Sequence, residues 1–200
     1  MKDFNYHSAK DSKEASKLSS SNSAFLAGGM TTIPSMKLGL ASYKDLINIK
    51  NIKKLSGIKV SAKSVTIGAT TKHVEVANSK QLKKTIPSLA SLAEGIGDPQ
   101  VRNRGTIGGS VANNDPSADY PSACIALNAT IHTNDRKIEA SKFFKGMFET
   151  ALKKGELIEA IEFQIPEKSS YQKHPNPASR YAIVGVYAVS YTHLTLPTKA

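Results

Sequence analysis

Arg102–Ala123 reads RNRGTIGGSVANNDPSADYPSA, and the rest of the chain is best read outward from it. Gly105, Gly108 and Gly109 stand close together, and Ser110, Asn113, Asn114, Asp115 and Asp119 follow. Glycine admits positive φ and lets backbone approach a ligand closely. Successive N–H groups around such a turn form a concave anion site, to which Thr106 and Ser110 add hydroxyls. A second segment is built alike. Ala27–Pro34, AGGMTTIP, places Gly28 and Gly29 after the apolar run Ala24–Leu26, with Thr31 and Thr32 behind them. Pro34 suits either the loop exit or the start of a helix. Neither segment is a Walker A loop, since no Gly-Lys-Ser/Thr follows, and neither has the Gly-x-Gly-x-x-Gly spacing of a Rossmann turn. Glycine turns are mostly structural. Residue chemistry alone therefore gives two candidate phosphate cradles, which together would clamp the two ends of a long phosphate-bearing ligand.

Around these segments the hydrophobic pattern predicts a mixed fold. Residues 9–19 read as a short polar helix and 19–23 as a loop. Ala24–Ala27 reads as a buried strand and 45–49 as another, closing a small αβ lobe at residue 55. Val65, Ile67 and Ala69 alternate, which predicts a strand over 63–69. Residues 79–97 are helical in pattern, but Pro87 fits only the first turn of a new helix. Leu89, Leu92, Ala93 and Ile96 then share a face, and Gly97 ends it. A short helix over 120–129, a hairpin over 129–140 turning at Asn134–Asp135, and strands over 157–165 and 180–189 complete the pattern. Strands and helices without regular βαβ alternation predict an α+β fold in two lobes, 1–55 and 56–189. The tail 190–200, SYTHLTLPTKA, follows a strong strand with no turn chemistry and reads as a non-native junction outside the fold.

Composition narrows the function classes. The 200 residues are 40% hydrophobic, enough for a core, and no apolar run approaches a membrane span. The N-terminus lacks the apolar stretch of a secretion signal, which predicts a cytoplasmic protein. Cys124 is the single cysteine, so the chain builds no internal disulfide, iron–sulfur cluster or structural zinc. On an apolar helix face, it reads as core. A net charge of +11 raises nucleic acid as a partner, but the lysines are dispersed and aromatics are 6%. They read as a solvated surface, with no nucleic-acid partner. His7, His73, His132 and His174 show no metal-ligand spacing and receive no role.

Three segments in order, LAGGMTTIPSMKLGL, DPQVRNRGTIGGSVANNDPSADYPSA and KHPNPASRYAIVGV, resemble the FAD-binding subunit of molybdenum hydroxylases. This is the medium chain of the aerobic carbon monoxide dehydrogenase and xanthine dehydrogenase family. The likeness runs from the N-terminus to about Val189. It implies a two-lobed FAD-binding domain of the PCMH/vanillyl-alcohol-oxidase-like type, with FAD between the lobes and the family's C-terminal domain missing. It implies that Ala27, Gly28, Gly29, Met30, Thr31 and Thr32 hold the FAD pyrophosphate, and that Thr106, Ile107, Gly108, Gly109 and Ser110 lie beside the flavin or ribityl chain. A side chain at Gly28 or Gly108 is then expected to abolish flavin retention, because backbone must meet cofactor there. Asp119 matches a further contact, to a sugar or ribityl hydroxyl, with a helix N-cap as its alternative. Ile158 and Lys173 match two more, with core packing and a surface lysine as theirs. Arg102 and Arg104 support the second loop or pair with carboxylates.

The implied role is electron transfer. Substrate is oxidised at a molybdenum cofactor on a large subunit, and electrons pass through 2Fe–2S clusters on a small subunit to FAD here, then to an external acceptor. No catalytic residue and no metal ligand is expected in this chain. The rival readings are a stand-alone FAD-dependent oxidoreductase of the same fold and a basic, non-catalytic binding module that has lost FAD.

Overall fold

The computed structural model describes residues 1–190, so the expectation of a non-native junction falls, apart from Ser190, outside the described residues. The chain opens with β1 (Asn5–Ser8), α1 (Ser12–Leu18), β2 (Ser23–Leu26), α2 (Thr32–Lys37) and β3 (Asp45–Asn48). Strand β3 lies between β1 and β2 and is parallel to both. The opening segment is therefore a small βαβαβ unit, a regular alternation that the sequence pattern did not predict because β1 is short and polar. Asp11 caps α1 by accepting the Glu14 N–H at 2.8 Å. Ala9, Ala15, Ile47, Ile49, Ile52, Leu55 and Leu157 form the core here.

A 3-10 turn at Lys53–Leu55 leads into β4 (Ile58–Val60) and β5 (Ser64–Gly68). A helical stretch follows: α3 (His73–Asn78), α4 (Lys80–Thr85), α5 (Pro87–Glu94), α6 (Pro99–Arg104), α7 (Ile107–Asn113) and α8 (Tyr120–Ala126). Next come β6 (Thr130–Thr133), β7 (Lys137–Glu139), α9 (Ala140–Phe143), β8 (Phe144–Gly146), β9 (Glu149–Thr150) and β10 (Ile158–Gln164). The second sheet has the order β4-β5-β10-β6-β7 and is antiparallel throughout. Val65, Ile67, Ile131, Ile161 and Phe163 form one core with Leu89, Leu92, Val111 and Cys124 from the helices. Each such buried apolar side chain contributes on the order of 1.5–3 kcal/mol. Cys124 is core, as its position predicts.

The described residues end in a two-stranded ribbon of β11 (Lys168–Pro175) and β12 (Ala182–Ser190). Ser88 in α5 anchors it through Ser169 Oγ and the Tyr187 hydroxyl, at 2.6 Å each. Ile183, Val184 and Val186 are each more than half exposed. The β8–β9 hairpin is held by Asn114, whose amide donates to Gly146 O and Glu149 O at 2.8 Å each.

Several expectations change. The helix expected to reach Gly97 ends at Glu94, because the Gly95 N–H closes onto the carbonyls of Ser91 and Leu92. Asp98 and Pro99 then start a new helix, with the Asp98 side chain accepting the Val101 N–H at 2.8 Å. The helix expected over 120–129 ends at Ala126, and Asn128 adopts φ 47° in the turn before β6. Ala24–Leu26 is half-buried rather than buried. The largest change is at Thr106–Asn113, read as a loop. It is the helix α7, capped by Thr106 Oγ1 and ended by Asn114 at φ 44°. Its glycines disfavour helix, and packing of Gly108 onto Ala69 outweighs that cost.

Candidate cofactor site

A cleft of about 400 Å³ opens between the two sheets. Phe25 and Ile49 line it from the small sheet, and Ala69, Leu157 and Ile158 from the large one. The two glycine segments, nearly eighty positions apart in sequence, meet here in direct contact. A Cβ on Gly28 would run into the Arg104 carbonyl and stand 2.9 Å from Gly105 Cα. A Cβ on Gly108 would stand 2.7 Å from Ala69 O. The smallness required at Gly28 and Gly108 is thus imposed by protein backbone. This corrects the expectation that a cofactor imposes it.

Of the residues singled out from sequence, Ala27, Gly28, Gly29, Met30, Thr31, Thr32, Thr106, Gly108, Gly109, Ser110, Asp119 and Ile158 line the cleft. Ile107 points into the core with no exposure. Lys173 also stands off the lining, behind Asp119.

The two segments differ in what they offer. In the first, none of the N–H groups of Gly28, Gly29, Met30, Thr31 and Thr32 has an acceptor among the described residues. Gly29 turns the chain at φ +73°, and α2 begins at Thr32. The result is a run of free donors along the cleft wall. In the second, the donors from Ile107 to Ser110 are spent, and the Thr106 N–H alone has no acceptor among the described residues. Ile107 N–H goes to Thr71 O, Gly108 N–H to Ala69 O, Gly109 N–H to Thr106 Oγ1 and Ser110 N–H to Thr106 O. The expectation of two opposed anion cradles is corrected to one cradle facing a flat wall of small residues, Gly108, Gly109 and Ala112.

Asp119 makes no capping bond to its helix. Its carboxylate accepts from the Tyr171 hydroxyl and pairs with the Lys173 ammonium at 3.0 Å, and the two charged side chains are 5% and 10% exposed. Lys173 also donates to Gly95 O at 3.1 Å. Burial and the neighbouring carboxylate push the Tyr171 phenol well above its ordinary range. The Arg102 guanidinium donates to Ile96 O and Gly97 O at 3.1 Å each, so it fixes the turn before α6 rather than the second glycine segment. Arg104 contributes the carbonyl against Gly28.

Three features of the cleft were not read from the sequence. Glu156 borders it, gripped by Arg136 at 2.9 and 3.1 Å, the Lys153 N–H at 2.8 Å and Thr133 Oγ1 at 2.8 Å. Burial pushes its carboxyl up, and these bonds outweigh burial and hold it at about 2. Ser179, Arg180 and Tyr181 also line the cleft, signalled in sequence only by the Pro-Ala-Ser composition of their turn. His73 lines the wall beside Gly105, and a lone histidine carries no sequence signal. Among the described residues no cluster of His, Cys, Asp or Glu is arranged to hold a metal ion.

Residues 2–167 match the family described as the FAD binding domain in molybdopterin dehydrogenase. The chain belongs to that family. The FAD-binding domain is 37% identical over 192 residues to the glyceraldehyde dehydrogenase medium chain of Sulfolobus acidocaldarius, covering 92% of this chain and 68% of that one. It superposes on carbon monoxide dehydrogenase from Hydrogenophaga pseudoflava with a TM-score of 0.88 at 35% identity, again covering 92% and 68%. Quinoline 2-oxidoreductase from Pseudomonas putida 86 gives a TM-score of 0.90 at 27% identity, covering 94% and 70%. The fold is thus the α+β fold of this family, and the chain is an oxidoreductase subunit whose cofactor is FAD. The cleft fits that cofactor. A dinucleotide carries a diphosphate that needs donors and flat rings that need close, apolar walls, and the FAD-binding domain supplies one on each side.

Proposed function

We propose that this chain is the electron-transferring FAD subunit of a molybdenum-containing hydroxylase. The molybdenum cofactor would sit on a large partner subunit and 2Fe–2S clusters on a small one. The observation that carries the reading is the row of free N–H groups at Gly28–Thr32, facing the wall of α7 inside a family-typed FAD domain. Bound in the cleft, FAD supplies the redox chemistry that links the clusters to an external acceptor.

In this reading Gly28–Thr32 hold the diphosphate through backbone donors, with the Thr31 and Thr32 hydroxyls beside them. Thr106, Gly108, Gly109 and Ser110 form the close wall for the ribityl chain and ring, and Ile158 adds apolar surface. Ile107 acts from the core by seating α7. Asp119 pairs with Lys173 and accepts from Tyr171, and its remaining lone pairs serve a cofactor hydroxyl. Lys173 acts through Asp119. The two lobes are 1–55 and 56–189, with the cleft between them, and the protein works in the cytoplasm. Among the described residues no helix is long and apolar enough to cross a membrane.

The test is flavin retention and company. Expressed with excess FAD, the protein is expected to purify with visible flavin absorbance and with molybdenum and iron–sulfur subunits. A colourless, folded protein overturns the reading. A flavoprotein that purifies alone and oxidises its own substrate favours the stand-alone enzyme. Gly109→Val adds bulk on the cleft wall, where a Cβ meets only Thr106 Oγ1 at 2.9 Å. It is expected to lose flavin while keeping its circular dichroism spectrum.

A further inference from the structure

We infer that His73 is a ligand of the bound dinucleotide, its Nε2–H donating to the diphosphate beside the Gly28 turn; this rests on the proposed function. His73 lines the cleft yet is 5% exposed. Among the described residues neither ring nitrogen has a hydrogen-bond partner, and Nδ1 is fully buried. The opposite ring edge lies over Gly105, where a Cβ would stand 2.6 Å from Nε2 and 2.8 Å from Cδ2. Gly105 in turn touches Gly28. The imidazole is therefore the next side chain along the wall from the free donors at Gly28–Thr32. Backbone at Gly105 is already committed: its N–H goes to Val101 O at 2.7 Å, and its carbonyl accepts the His73 N–H at 3.0 Å. The ring is then the side-chain donor on this part of the wall, next to the Thr106 N–H, which has no acceptor among the described residues.

Tyr120 packs on His73 with ring centroids 5.5 Å apart, and its hydroxyl, like Nδ1, is buried without a hydrogen-bond partner among the described residues. The inference assigns the Nε2–H tautomer, the one that presents a donor on the Gly105 side of the ring. Burial, and secondarily the Arg102 charge, lower the His73 pKa to about 4, so the ring is neutral and keeps one N–H. Nε2, unlike Nδ1, is not sealed inside the protein and makes no hydrogen bond among the described residues, so a diphosphate oxygen in the cleft can take its proton in a hydrogen bond.

The experiment titrates FAD and, separately, ADP into the chain and into His73→Leu and His73→Gln, with 15N-histidine spectra recorded alongside. His73→Leu is expected to weaken FAD and ADP alike, on the order of tenfold to a hundredfold. His73→Gln, which keeps a donor, is expected to recover part of that loss. The Nε2–H resonance of His73 is expected to move on addition of ADP. Unchanged affinity in a folded His73→Leu overturns the inference and leaves the proposed function standing. Weakened FAD with unaltered ADP overturns the assignment to the diphosphate. Failure of the unsubstituted chain to bind FAD overturns the proposed function and this inference with it.

Discussion

Gly28 and Gly109 are both glycines on the cleft wall, and they are glycine for different reasons. Gly28 has the Arg104 carbonyl against it, which cannot yield without moving α6. Among the described residues, Gly109 faces only the Thr106 hydroxyl. Gly28→Ala is therefore expected to lower stability by on the order of 1–3 kcal/mol through overpacking. Gly109→Ala is expected to stay within about 1 kcal/mol of the parent. Urea denaturation of the two variants without FAD checks the difference. The sequence shows that both positions are glycine and gives no sign that backbone stands against one of them, since that contact joins residues 28 and 104. His73 was hidden for a related reason. A histidine becomes informative through what surrounds it, here Gly105, Tyr120 and Arg102.

At the scale of elements, the Asp119–Lys173 pair ties the ribbon to the start of α8, and Lys173 reaches Gly95 at the end of α5. Breaking a buried pair from one side strands the remaining charge. Lys173→Met is expected to cost about 3–5 kcal/mol, and adding Asp119→Asn to restore much of it, both read by urea denaturation. Elements with strong local signals were legible. Pro87 split the helix where predicted, and the hairpin at 130–139 and strand β5 follow their apolar alternation. Strand β11 was not legible, because KSSYQKHP is polar and gains its structure from pairing with β12. Helix α7 was not legible because two glycines near its start mask it, and only Ala69 packing and the Thr106 cap reveal why it forms. Residues 27–32 and 106–110, apart from Ile107, line the cleft, but which of them keep free donors depends on partners at Ala69 and Thr71.

For the whole molecule, acid acts through His73 and then Glu156, alongside the carboxyls of Asp45 and Glu162, whose hydrogen bonds also hold them low. His73 ordinarily titrates at 6.5 and in the fold at about 4. Between those values the unfolded chain binds a proton that the folded chain refuses, so stability is full above pH 6.5 and falls as pH drops toward 4. Glu156 ordinarily titrates at 4.5 and in the fold at about 2, so it has the same sign and extends the loss from 4.5 down toward 2. Each shift corresponds to about 3 kcal/mol. His73→Leu is expected to flatten the upper part of a stability-against-pH curve, and Glu156→Gln the lower part. The asymmetry between the glycine segments reaches beyond equilibrium. Amide hydrogens already engaged by the protein trade slowly with solvent, while unengaged ones trade quickly. In deuterated water the amides of Ile107–Ser110 should therefore persist whether or not FAD is present. Those of Gly28–Thr32 should vanish early without it and be retained only in its company. One half of the cleft is finished by folding, and the other half is finished by its ligand.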